Sequence, residues 1–278
     1  MILVSGATGN VGRYLISFLL KRNARVRILI RDQKKAEHLD KQVERAIGDL
    51  DKPKTLVDAM HDVERLYFVT PLTAQVQNLL DAAKQAGVRH VVKQSTIEAD
   101  RYLGPGRWHR EQEELVKGMG FDWTFLRPTM MAVNTLQWWS ATIKSTGSVF
   151  FPGGRGKVPV VDPQDIAAVA CSVLTGTNHE GRIYNVTGPN ALSIAEMVEI
   201  LGEALGKPLR YVNVPAFAAG LWMRRFGLSR ELVSALLETL RALRRNEYSY
   251  VTDVVARIGG ITPRSFDDWC RENAAAFQ

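Results

Sequence analysis

From Ile2 onward the chain alternates short apolar runs with longer stretches whose apolar residues recur every three or four positions. A short run closed by a turn signal fits a strand covered on both faces, and the wider spacing fits a helix with one covered face. This reading places strands at ILVSG, ARVRILI, VERAIG, ERLYFVT, RHVVKQS and DWTFLRP. Between them it places helices at VGRYLISFLLKR, QKKAEHLD, PKTLVDAM, AQVQNLLDAAKQAG and GRWHREQEELVKGMG. Such alternation predicts an α/β fold with a doubly wound parallel (Rossmann) sheet. Past residue 150 the pattern loosens into loops bearing proline and glycine (FFPGGRGKVP, NVTGPNAL, LGKPLRYVNVP) and then helices. The expected organisation is a dinucleotide-binding domain over 1–150 and a smaller C-terminal α/β substrate region over 151–278, with 158–176 packing back on the Rossmann core.

Composition changes this picture little. The 278 residues are 46% hydrophobic and 23% charged, as in an ordinary globular protein. No apolar run approaches the roughly 20 residues of a membrane helix, and no basic segment leads into an apolar run at the start, so the expectation is a cytoplasmic protein with no membrane partner. Cys171 and Cys270 lie far apart and form no metal-type spacing, which points to reduced structural thiols and no metal. The net charge of +7 draws on MRRFGLSRELVSALLETLRALRRN, where the arginines fall on helices of amphipathic spacing. A solvated basic face accounts for them, and no nucleic-acid signature accompanies them.

The first strand runs directly into GATGNVG. Gly6 permits a tight turn, Gly9 lets backbone approach a phosphate, and Gly12 lets the helix pack on the strand; Thr8, Asn10 and Val11 complete the cradle. The second strand ends in RILIRD, beside the expected adenosine ribose. Arg31 stands first past the apolar run, with Lys34 and Lys35 following, and fits a 2′-phosphate better than Asp32 fits a free hydroxyl. NADP, with NADPH preferred over NADH, is the expected cofactor.

These residues resemble the short-chain dehydrogenase/reductase superfamily in its extended, atypical branch, and most of all the NmrA-like proteins. GATGNVG matches that branch's three-glycine signature. By the same resemblance GDL (Asp49, Leu50) and FVTP (Val69, Thr70, Pro71) are adenine- and ribose-side loops. LRPTMMAVN, with Pro128, and VDPQDIAAVA are later landmarks. The superfamily's Tyr-x-x-x-Lys pair is missing: its tyrosine position falls on Pro105 and its lysine position on His109. His109, at the margin of a helix face formed by Trp108, Gln112, Leu115, Val116 and Met119, titrates near neutrality in its ordinary state and is the candidate proton donor. Ser95 and Thr96, ending the fifth strand, occupy the place of the superfamily's catalytic serine.

Trp108, Met130, Met131, Trp138, Trp139 and Phe150 are the candidate walls of a substrate pocket. Trp138 and Trp139, adjacent on a helix, cannot both face one cleft, so one of them turns to a cleft or to an interface. FFPGGRG reads as a lid. Flat apolar walls and no tyrosine acid suit hydride transfer to an acceptor that is already electrophilic: a quinone, an azo compound or an imine. The alternatives are a non-catalytic NADP-binding redox sensor of the NmrA type and an isomerase or biosynthetic reductase. The partner expected is a small aromatic or conjugated substrate, with no nucleic acid, and the chain is expected to be a monomer or homodimer.

Overall fold

The computed structural model describes residues 1–32, 41–70 and 72–278. The expected helix at 33–40, with Lys34 and Lys35, lies outside the described residues, as does Pro71. Each of the six apolar runs is a strand: β1 (Ile2–Ser5), β2 (Val26–Ile30), β3 (Glu44–Ile47), β4 (Arg65–Phe68), β5 (His90–Gln94) and β6 (Asp122–Pro128). Helices α1 (Gly12–Lys21), α2 (Thr73–Gln85) and α3 (Gly106–Gly118) connect them. PKTLVDAM is a departure from expectation, because it folds as two 3-10 turns, Pro53–Thr55 and Asp58–Met60. Thr55 explains the first: its hydroxyl donates to the Lys52 carbonyl at 2.8 Å and accepts from the Asp49 amide at 2.9 Å, closing a local turn that competes with helix.

Further along come α4 (Asn134–Thr146), β7 (Ser148–Phe151), β8 (Lys157–Pro159), α5 (Pro163–Thr175), β9 (Arg182–Val186), β10 (Ala191–Ser193), α6 (Ile194–Leu205), β11 (Arg210–Asn213), α7 (Ala216–Arg225), α8 (Arg230–Arg244) and α9 (Phe266–Asn273). The stretches read as loops therefore carry short strands at their ends. β8 pairs with β10 and β7 with β11 in separate two-stranded sheets.

The main sheet has the order β3-β2-β1-β4-β5-β6-β9, and its pairings are parallel. Its middle strands are apolar on both faces, since helices cover both. One face packs α1 and α5 over Val4, Ile28, Tyr67, Val92 and Leu126. The other packs α2 and α3 over Leu3, Leu66, Phe68, Val91 and Phe125. The segment 158–176 meets the first of these faces through α5, which Asp162 starts by accepting from the Gln164 amide at 2.7 Å, with Pro163 at the first helical position. A third core gathers α4, α6 and α9 around Trp139, Met197 and Trp269. Among the described residues no helix is long and apolar enough to cross a membrane.

The strand order reverses at β1 and β4. The carboxyl ends of two strands flanking such a reversal are where open α/β sheets take their ligands.

Candidate functional site

Gly6 holds φ at +81°, a left-handed conformation that lets β1 turn sharply, and a Cβ on it would meet the Val69 side chain at 2.9 Å. Gly12 is fixed more tightly: its Cβ would lie 2.1 Å from the Gly6 carbonyl oxygen. The turn is closed by the Gly9 amide donating to that same carbonyl at 3.0 Å. Thr8, Gly9 and Asn10 are exposed at its tip, while Val11 is buried in the core. Helix α1 starts with no side-chain cap and no acidic residue in its first turn. Its positive end is thus offered to an outside anion.

On the β2 and β3 side, Arg31 is exposed directly after β2, and among the described residues no acid pairs with it. The loops after β3 and β4 are laced together. Thr70 donates to Gln75 at 2.7 Å, Gln75 to Asp51 at 3.0 Å, and Asn78 to the Leu50 carbonyl at 2.8 Å. Asp49 supports this lattice by accepting from the Asp51 amide at 3.1 Å. Leu50 and Val69 are half-buried along the same edge.

On the β5 and β6 side the edge is built from buried charged and polar groups. Glu113 of α3, fully buried, accepts from Ser95 at 2.6 Å and holds Arg127 of β6 in a two-pronged pair at 3.0 and 2.6 Å. Arg127 also reaches Asp100 at 3.0 Å. Ser95 is therefore committed to fastening α3 on the sheet. Thr96 donates to Glu98. These bonds tie both hydroxyls to carboxylates and correct the reading of Ser95 and Thr96 as groups held ready for substrate. Pro128 is buried at the end of β6, opposite Val186.

His109 is half-buried in the first turn of α3, with its Nδ1 3.1 Å from the Nζ of Lys93. Burial, and then the neighbouring Lys93 charge, push the imidazole down to about 3. The expectation of titration near neutrality is corrected accordingly: at neutral pH this ring is uncharged and donates from one nitrogen only. Lys93 was not singled out in the sequence. Its signal was present, since a lysine inside an apolar strand calls for a buried partner.

Helix α8 closes beside this end. Gly104 packs on Ala235 and Thr239, its amide donates to Glu238 at 3.1 Å, and Arg107 pairs with the same carboxylate at 2.5 Å. Trp108 is half-buried next to His109 on α3. Met130 and Met131, half-buried after β6, pack against different cores. Trp138 is 40% exposed and stacks on Phe151 at 5.7 Å between centroids. Trp139 is fully buried in the third core, which corrects its placement as a pocket wall; consecutive helical residues point about 100° apart. Phe150 is 47% exposed on β7.

The loop read as a lid is pinned. Gly154 donates to Asn213 at 3.0 Å, Lys157 to Asn246 at 2.8 Å, and a Cβ on Gly156 would sit 2.1 Å from the Leu243 carbonyl oxygen. Gly154 and Gly156 serve close packing against α8, and Gly153 packs on Ile194 of α6 and Tyr211 of β11.

The residues present fit a dinucleotide: a glycine turn with an exposed tip, a helix start with no side-chain cap, and, at the end of the neighbouring strand, an exposed arginine that has no acidic partner among the described residues. Fold and site together define a protein of the doubly wound, dinucleotide-binding class. Within it, the chain belongs to the NmrA-like family, whose model matches residues 1–235. An NAD(P)H azoreductase of Xenophilus azovorans is 39% identical over 285 residues, spanning 100% of this chain and 99% of that protein. Among solved structures, the NADPH-dependent quinone oxidoreductase QOR2 of Escherichia coli, complexed with NADPH, superposes with a TM-score of 0.87 at 25% identity, over 98% of this chain and 99% of that one. The triphenylmethane reductase of Citrobacter sp., complexed with NADP(H), gives 0.85 at 25% identity, over 99% and 100%.

Proposed function

We propose that this chain is an NADPH-dependent oxidoreductase that reduces a flat conjugated acceptor (a quinone, an azo compound or an imine) in the cytoplasm. One observation carries the reading: the glycine turn and the neutral His109 stand on the same carboxyl edge of one sheet, on either side of the strand-order reversal. The named activities of the azoreductase, quinone oxidoreductase and triphenylmethane reductase relatives support it.

Bound NADPH supplies the hydride. Gly6, Gly9, Gly12 and the start of α1 hold the pyrophosphate, and Arg31 takes the 2′-phosphate. Asp49, Leu50, Val69 and Thr70 frame the adenosine side, and residues 1–150 carry this half of the work. His109, uncharged, donates a hydrogen bond to the acceptor's oxygen or nitrogen and hands over its proton as electron density builds there. Trp108, Met130, Met131 and Trp138 wall the acceptor side, and residues 151–278 complete it and exclude water. An acceptor of this type needs no tyrosine acid, because its conjugation already receives the hydride readily.

The test is loss of NADPH absorbance against a panel of quinones, azo dyes and imines, with NADPH binding titrated in parallel. Turnover of a flat acceptor is the expected result. His109→Ala is expected to slow it on the order of 10²-fold while leaving NADPH affinity unchanged. Tight NADPH binding with no turnover of any acceptor overturns the reductase reading in favour of a sensor.

A further inference from the structure

We infer that Lys93 is a positioning residue for this reduction: its buried ammonium sets the tautomer of His109 and returns to it the proton passed to the acceptor. The inference rests on the role given to His109 above.

Strand register places Lys93 between Phe68 of β4 and Phe125 of β6. It faces the side of the sheet that α2 covers with Val76, Leu79 and Leu80. The residue is fully buried. Its Nζ donates to the Gln94 carbonyl at 3.2 Å, lies 5.6 Å from the Phe68 ring centroid, and points at His109 Nδ1 from 3.1 Å. A lysine kept only for architecture is expected to pair with a carboxylate. Glu113, one turn along α3 from His109, is the nearby acid, and it is taken up by Arg127 and Ser95. Among the described residues no carboxylate lies within ion-pair distance of Lys93.

The chemistry follows from the donor inventory. A protonated lysine only donates, so Nδ1 of His109 must accept, and the ring proton is forced onto Nε2. When the acceptor gains a hydride, it takes the Nε2 proton, and the new O–H or N–H bond forms as N–H breaks. Lys93 then gives a proton to Nδ1 and becomes a neutral amine. Protonation of Nε2 from solvent after product release drives the Nδ1 proton back to Lys93 and closes the cycle.

The charged groups facing Lys93 are Glu113 of α3 and Arg127 of β6, and its Nζ also meets the uncharged His109. Burial pulls the ammonium down to about 7; Glu113 opposes the shift and Arg127 adds to it. The proton supply is loaded below that value and lost as pH rises through it. Stability runs the other way. The unfolded lysine keeps its proton to about 10.5, so between about 7 and 10.5 the unfolded chain binds more protons and stability rises with pH.

The experiment compares wild type, Lys93→Met and Lys93→Gln in the full chain, reading three things. The first is turnover against pH with NADPH and the best acceptor. The second is the thermal midpoint in mild acid. The third is the His109 tautomer by imidazole nitrogen NMR, with and without NADPH. Wild type is expected to show the Nε2–H tautomer and a rate that falls as pH rises through about 7.

Lys93→Met is expected to lose that limb and on the order of 10²-fold in rate, to mix the tautomers, to bind NADPH normally and to unfold at a higher temperature. Lys93→Gln, which still donates a hydrogen bond but holds no spare proton, is expected to keep the tautomer and lose the limb. A wild-type pH limb surviving in Lys93→Met, or an Nδ1–H tautomer in wild type, overturns the inference. If His109→Ala slows turnover and Lys93→Met does not, only the role of Lys93 fails. If neither variant slows it, the role of His109 fails too.

Discussion

At the glycine turn the chain presents backbone: three glycines, an exposed tip at Thr8 to Asn10 and a helix start with no side-chain cap. At the ends of β5 and β6 the edge is made of side chains, with Glu113 and Arg127 buried against each other and Lys93 buried against His109. The first arrangement leaves room for a group common to many cofactors. The second is a set of charges taken out of water, stable only while each keeps its partner. One end of the site is shaped by what the chain leaves out, and the other by what it encloses.

The largest expected break in this contrast is Glu113→Ala. It leaves Arg127 buried with only the half-exposed Asp100 as a partner, and frees Ser95. A loss of about 3–5 kcal/mol in stability is expected, read from denaturant midpoints; a loss below about 1 kcal/mol would mean that the charged end is not held by this pair. Gly12→Ala tests the opposite end. A methyl there has no room beside the Gly6 carbonyl, and about 1–3 kcal/mol of destabilisation is expected, together with weaker NADPH binding. Unchanged binding would detach the turn from the cofactor. The finest cut is Arg31→Ala, expected to weaken NADPH by about 1–3 kcal/mol and NADH hardly at all. Equal losses for the two cofactors would remove Arg31 from the 2′-phosphate.

The same contrast explains what the sequence disclosed. GATGNVG was legible because its function is local: glycine spacing, strand before and helix after stand within a dozen residues. The six strands were legible through burial on both faces. His109 was located by resemblance, but its state was not, because Lys93 reaches it across the gap between β5 and α3. Ser95 misled for the same reason, since Glu113, a helix away in sequence, claims its hydroxyl. Trp139 lies in a core that only the docking of α6 and α9 creates. The arginine-rich stretch divides between the exposed ends of α7 and a helix α8 that packs beside the site, with Arg244 laid over Gly154. β9 escaped because RIYNV is polar and half-covered at a sheet edge, without the apolar run that marked its neighbours.

β9 also bears on how the molecule is made. During synthesis β6 leaves the ribosome well before its outer neighbour, with α4, the two short strands after it and α5 still to come. Until Arg182–Val186 arrives, the newborn sheet ends in a bare row of amides and carbonyls, open to pairing with any other extended chain. A product that stopped near residue 150 would keep that edge for its whole life, with the face that α5 covers left greasy and open. A chain stopped near residue 150 is therefore expected to pair with other chains through the open edge of β6 more readily than the full-length protein does.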